Sequence, residues 1–409
     1  MGSGAREHAL CLALSRDPAV DGLACAPGNA GTAELADSFE LELTDPKAPT
    51  ALADQWGADL VVIGPEAPLV AGAADICRDH DIACFGPSAA AAQLEGSKAF
   101  AKEIMAAARV PTAGHWVAED DATVGAILDR LRPPYVVKHD GLAAGKGVVV
   151  TNDRADAIRH ASGHRVVIEE YLDGPEVSLF AVTDGSTVVP LQPAQDFKRI
   201  GDGDTGPNTG GMGAYSPLPW APPDLVADVR RTVLEPTVAE MARRGTPFSG
   251  LLYAGLALTS DGPKVVEFNA RFGDPETQVV LARLCTPLAG LLLAAATGRL
   301  AEHPPLEWSD EAAVTVVIAA PGYPAAPRTG DAIGGLPAAA EVHNVHVLHA
   351  GTRRVGADVV SAGGRVLSVT ATGADIAAAR ASAYEAVEKI TLQGGHYRTD
   401  VAAAGMMKP

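Results

Sequence analysis

The segment Val137-Lys138-His139-Asp140-Gly141-Leu142-Ala143-Ala144-Gly145-Lys146-Gly147-Val148 sets two lysines among three glycines. Short apolar strands, Tyr135 to Lys138 and Gly147 to Val150, flank the glycine-rich stretch, and Val166 to Ile168 reads as a third strand. Glycines let backbone amides approach phosphate oxygens closely, and two ammonium groups can neutralise them. The spacing is not that of a Walker A loop. Three residues separate Gly141 from Gly145, and Gly147 follows the lysine where that motif needs Ser or Thr for magnesium. It is not the glycine-rich kinase loop either. A flexible hairpin over a triphosphate fits, with an ordinary glycine-rich turn as the alternative. The surrounding strands predict a small antiparallel lobe.

The first hundred residues alternate short apolar strands with amphipathic helices: a helix over Ala5 to Ser15, a strand over Asp59 to Gly64, a helix over Leu69 to His80 and a strand over Ile82 to Phe85. Such alternation argues for a parallel α/β sheet. The chain opens at Met1-Gly2-Ser3-Gly4, a turn that in a βαβ unit follows a strand. The natural protein is therefore expected to begin a few residues upstream, with an apolar strand. From Asp173 onward the pattern is mixed: strands near Val177–Val182, Leu251–Leu258 and Lys264–Phe268, and helices over Asp224–Arg244 and Pro275–Thr297. Another α/β segment follows His303-Pro304-Pro305, with strands near Val314–Ala319 and Val366–Thr370 and an Ala-rich helix over Ala374–Lys389. The expected fold class is α/β and α+β multidomain, divided at about 1–96, 97–300 with a lobe at about 110–172, and 301–409. At 409 residues the chain has room for two to four domains.

The net charge of -18 opposes binding to nucleic acid or an anionic membrane. Anionic substrates would need local lysines, arginines, metal ions and backbone amides. No apolar run reaches the roughly 18 residues that span a bilayer, and no basic-then-apolar leader is visible, so a cytoplasmic protein is expected. The five cysteines read as small core residues in a reducing compartment.

Four further segments carry polar side chains in telling patterns. In Lys264 to Glu276, strand periodicity turns Glu267, Asn269 and Arg271 the same way. A carboxylate and an amide oxygen are hard ligands suited to magnesium, and arginine can fork a carboxylate. A solvated edge strand is the alternative. The run Ile168 to Glu176 can offer peptide groups to an adenine edge and a carboxylate to a ribose, or be a solvated acidic turn. The stretch Gln195 to Gly213 is glycine-rich and nearly free of apolar side chains; loops this long are usually functional or disordered. The opening turn Gly2 to Gly4 precedes a helix and suits a phosphate monoester, while Glu7 stands where a dinucleotide fingerprint needs its third glycine. His343, His346 and His349 point to different faces of a strand, so zinc is not expected.

Lys98 in Leu94 to Phe100, the Lys138–Gly147 hairpin, Glu169 to Glu176 and Glu267-Phe268-Asn269 stand in ATP-grasp order. Together with Ala26 to Gly31, Gly64 to Leu69, Asp204 to Gly213, Arg271 to Glu276 and His349 to Thr352, they make the whole chain resemble the phosphoribosylamine–glycine ligase family. The resemblance implies an ATP-grasp core between an N-terminal α/β domain and a C-terminal domain, and a monomer working on ATP, glycine and 5-phosphoribosylamine. It implies that Lys98, Lys138 and Lys146 contact nucleotide phosphates, that Glu169, Tyr171 and Leu172 line the adenine site, and that Glu176 meets the ribose. Glu267 and Asn269 would hold Mg2+ or Mn2+. Arg271 would hold the glycine carboxylate and, with Lys146 and Asp196, form the catalytic set. Gly2, Gly4, Glu66, Asp204, Thr205, Asn208, Gly210, Gly211 and Arg271 would receive the substrates. The chain departs from the family pattern in a short lobe between Asn152 and Ile168, in His139, and in Ala270 where cysteine is frequent. Another ATP-grasp carboxylate–amine ligase, a non-catalytic nucleotide-binding protein and a nicotinamide dehydrogenase are the rival readings.

Overall fold

The computed structural model describes residues 1–142, 147–403 and 405. Lys146 and its neighbours Ala143, Ala144 and Gly145 lie outside the described residues.

Parallel pairing organises the N-terminal part, where Leu60–Val62 runs beside Ala83–Phe85 and Ala24–Cys25 beside Asp37–Ser38. Met1 and Gly2 lie between these pairs: the Gly2 amide donates to Ala26 at 2.7 Å, and the Gly64 amide donates to Met1 at 3.0 Å. The helix Ala5–Ser15 follows directly. The single helix expected over Leu69 to His80 is two helices, Glu66–Val70 and Ala73–Asp79. Gly72 breaks them apart with a left-handed φ of 91°, a conformation that glycine adopts without a Cβ penalty.

The small lobe is an antiparallel sheet in the order His115–Ala118, Val166–Glu169, Tyr135–His139, Val148–Thr151. Tyr135, Val137, Val166 and Ile168 join its core with residues of the helices Asp121–Leu128 and Arg154–Ala161. Strand alternation then sends Lys138 and Glu169 to the opposite face. In the register, Val136 lies across from Glu169 and Lys138 across from Val167, so the lysine and the glutamate are diagonal neighbours.

A second antiparallel sheet runs in the order Val188–Pro190, Glu176–Asp184, Ser249–Thr259, Gly262–Asn269. Its last strand meets the root of the lobe, where the Val265 amide donates to Pro111 at 2.8 Å. The third sheet has five strands, Gln195–Asp196, Gly213–Ser216, Ala312–Ala319, Arg365–Gly373 and Val345–His349. Backbone pairing of Gly213–Ser216 with Ala312–Ala319 therefore crosses the division expected near residue 300.

Two expected long helices are interrupted. Asp224 to Arg244 contains a π turn at Arg230–Leu234, just ahead of Pro236, whose missing N–H cannot close an ordinary helical bond. Pro275 to Thr297 is split into Glu276–Arg283 and Leu288–Ala296, with Pro287 capping the second. Four cysteines are buried as expected, but Cys285, in the break between those helices, is exposed.

Candidate active site

Three cations and one glutamate meet where the lobe joins the body. Lys138 lies 3.1 Å from one Glu169 oxygen and Lys102 lies 3.1 Å from the other. Lys138 also donates to the Val266 carbonyl at 2.9 Å, and Lys102 to Thr112 Oγ1 at 2.7 Å. Lys98, one helical turn before Lys102, donates to the Gly141 carbonyl at 3.0 Å, at the entry to the glycine-rich hairpin. Burial pushes the Lys102 ammonium down to about 8, against the pull of Glu169. Lys102 carries no role in the sequence reading, although its i, i+4 spacing from Lys98 is visible there. Replacing it removes one of two cations from a buried carboxylate, which costs free energy. Lys102→Met is expected to lower stability by about 2 kcal/mol in urea unfolding; an unchanged midpoint would contradict the pairing.

Glu267 and Asn269 sit two residues apart on the strand Gly262–Asn269, opposite Gly255 and Tyr253. Burial would raise the Glu267 carboxyl, but Lys198, Lys138, Lys98 and Arg271 outweigh it and hold the group below its ordinary value. The carboxylate is thus ionised and, with the Asn269 amide oxygen, supplies hard oxygen donors that fit magnesium or manganese. No cluster of three or more His, Cys, Asp or Glu suited to a metal occurs among the described residues.

Arg271 is fixed by two carboxylates: Nε donates to Glu66 at 3.2 Å and a terminal nitrogen lies 3.1 Å from Glu95. Its other terminal nitrogen donates to the Phe272 carbonyl at 3.1 Å. A guanidinium has five N–H donors, so one on each terminal nitrogen is left for a substrate. Glu95 in turn accepts from the Ala270 amide at 2.7 Å.

A second polar network flanks this strand. Glu276 accepts from Ser178 at 2.9 Å and from the Tyr253 hydroxyl at 2.5 Å. Glu176 pairs with Lys198. Burial pushes the Asp196 carboxyl up to about 7; Lys198 opposes this, while Glu276 and Glu176 add to it. Tyr171 is exposed and Leu172 half-buried, both just beyond Glu169.

On the other side of Arg271 stand the opening turn and the long loop. The Gly4 amide donates to Glu7 at 2.5 Å, and the same side chain lies so close to Gly2 and Gly64 that a Cβ at either would displace it. Arg365 binds the carbonyls of Gly210 and Asp274, the latter at 2.6 Å, and lies 3.3 Å from the Asp274 carboxylate. Nothing near Arg365 in sequence marks it. The expected structureless loop is built instead from hairpins: Arg199–Gly201 pairs with Thr205–Asn208. Asp204 pairs with the buried Arg398 at 2.7 Å, and Thr205 Oγ1 donates to the Asp202 carbonyl. Asp204 thus ties the loop to the C-terminal segment, a contact that local sequence cannot reveal, while Thr205 braces it locally.

A small antiparallel lobe joined to the body at a cluster of lysines, a buried carboxylate and an arginine is the arrangement of an ATP-grasp enzyme. Residues 1–95, 96–277 and 313–404 match the N, ATP-grasp (A) and C domains of phosphoribosylglycinamide synthetase. The phosphoribosylamine–glycine ligase of Streptomyces coelicolor is 67% identical over 406 residues, covering 98% of both chains. The crystal structure of the Thermotoga maritima phosphoribosylamine–glycine ligase superposes with a TM-score of 0.85 at 33% identity, covering 98% of both chains. The biotin carboxylase domain of Hydrogenobacter thermophilus 2-oxoglutarate carboxylase, crystallised with MgADP, shares the fold at a TM-score of 0.73 and 16% identity, covering 97% of this chain and 90% of its own. The chain belongs to the phosphoribosylamine–glycine ligase family of purine biosynthesis.

Proposed function

We propose that the chain activates glycine with ATP and passes the glycyl group to 5-phosphoribosylamine, giving glycinamide ribonucleotide, ADP and phosphate. The observation that carries this reading is Arg271, anchored by Glu66 and Glu95 with N–H groups to spare, two residues from Asn269 and four from Glu267. A glycine carboxylate taken by this arginine would lie near the lysines proposed for the phosphates.

In the first step a glycine carboxylate oxygen, held by Arg271, attacks the γ-phosphorus of ATP; the bond to the bridging oxygen breaks and ADP leaves. In the second, the amine of phosphoribosylamine attacks the carbonyl of glycyl phosphate, the amide forms, and phosphate leaves with that oxygen. Lys98 and Lys138, with Lys146, neutralise the phosphates. Tyr171, Leu172 and the backbone at Glu169 cover adenine, and Glu176 takes the ribose. Glu267 and Asn269 would hold Mg2+ or Mn2+, which supplies Lewis-acid charge neutralisation on the phosphates. Asp196, raised to about 7, is suited to accept the proton lost by the attacking amine. Gly2, Gly4, Glu66, Gly210 and Gly211 receive phosphoribosylamine, with Asp204, Thr205 and Asn208 setting the loop. Phosphate release from ATP should require glycine and phosphoribosylamine together; equal release with neither substrate would reject the reading.

A further inference from the structure

Lys102 is a buried cation that the proposed reaction does not use. It lies on the helix Lys98–Ala108 and is 2% exposed. Its ammonium sits 3.1 Å from one Glu169 oxygen and donates to Thr112 Oγ1 at 2.7 Å, and Thr112 donates in turn to the Val265 carbonyl at 2.6 Å. Glu169 belongs to the lobe, and Val265 to the strand that carries Glu267 and Asn269, so Lys102 spans the junction between them.

Lys138 is held differently. Its nitrogen lies 3.1 Å from the other Glu169 oxygen, yet that oxygen is buried with no aligned hydrogen-bond donor among the described residues. Lys138 donates instead to the Val266 carbonyl at 2.9 Å. An ammonium carries three N–H donors, so Lys138 has some to spare. Charge decides whether they can serve a phosphate. The two lysines and Glu169 together carry one net positive charge. Without Lys102, Glu169 is offset by Lys138 alone, and drawing Lys138 towards a phosphate uncovers a buried carboxylate, which is costly. At pH 7 Lys102, at about 8, holds its proton.

We infer that Lys102 is a positioning residue for nucleotide binding: it neutralises Glu169, so that Lys138 keeps its charge and its spare N–H groups for the nucleotide phosphates. The inference rests on the proposed phosphate contact of Lys138. Lys102 acts through Glu169 and Lys138, since its own ammonium is spent on Glu169 and Thr112.

The probes are MgADP, titrated by calorimetry into the full chain at pH 7, and adenosine, which has the base and ribose but no phosphate, titrated by ligand-observed NMR. Lys138→Met should weaken MgADP about tenfold, the loss of one charge-assisted contact. Lys102→Met should weaken it about tenfold as well, although Lys138 is still present. Lys102→Gln, which keeps a polar tip for Thr112, should do the same. Adding Glu169→Gln to Lys102→Met restores the single positive charge, and MgADP should then bind within about threefold of the original chain. Adenosine affinity should stay within about twofold throughout, whereas a residue that only braced the lobe would move it in parallel with MgADP. Undiminished MgADP binding by Lys138→Met would overturn the phosphate contact and the inference with it. With Lys138→Met impaired, three results would overturn the inference alone: unchanged MgADP binding by Lys102→Met, a loss that Glu169→Gln does not repair, or a parallel loss of adenosine.

Discussion

Glu267→Gln should lower ligase turnover by about a thousandfold while leaving a folded protein. The substitution keeps the side-chain volume and removes the charge that Lys198, Lys138, Lys98 and Arg271 surround. A neutral amide is a poorer ligand for a hard divalent cation than a carboxylate. The surrounding cations outweigh the burial penalty, so removing the charge costs some stability; burial offsets part of that cost, and the melting temperature should fall by less than about 4 °C. Turnover by steady-state phosphate release and melting by calorimetry separate the two effects. Undiminished turnover would remove Glu267 from the metal site.

Arg271→Lys should cut kcat/KM for glycine by about a hundredfold, mostly through KM, while KM for ATP changes less than about twofold. Lysine keeps the charge but cannot reach Glu66, Glu95 and Phe272 at once and still present two parallel N–H groups. A residue that only braced the fold would affect glycine and ATP alike. Equal loss for both substrates would therefore assign Arg271 a structural role.

Much of the site is legible in the sequence because it lies on single strands. Alternation turns Glu267 and Asn269 the same way on a strand that ends at Asn269, with Arg271 in the bend just beyond it, and the same rule turns Lys138 away from the Val137 core. The helix breaks at Gly72 and Pro287 are marked by the residues themselves but outweighed by apolar periodicity. What stays hidden are partners distant in sequence. Glu95 reaches Arg271, Arg365 reaches Gly210, and Arg398 reaches Asp204 only through the tertiary fold. The stretch from Gln195 to Gly213 looks structureless in sequence because few of its side chains are apolar. Its order comes from backbone pairing and from the C-terminal segment.

Transfer of oxygen from glycine to phosphate tests the central claim most directly. Glycine labelled with oxygen-18 in its carboxylate is turned over with ATP and phosphoribosylamine, and the released phosphate is analysed by mass spectrometry. Activation through glycyl phosphate predicts one labelled oxygen in each phosphate released, since the carboxylate oxygen that attacked phosphorus departs with it. Unlabelled phosphate, released in step with glycinamide ribonucleotide, would contradict the account.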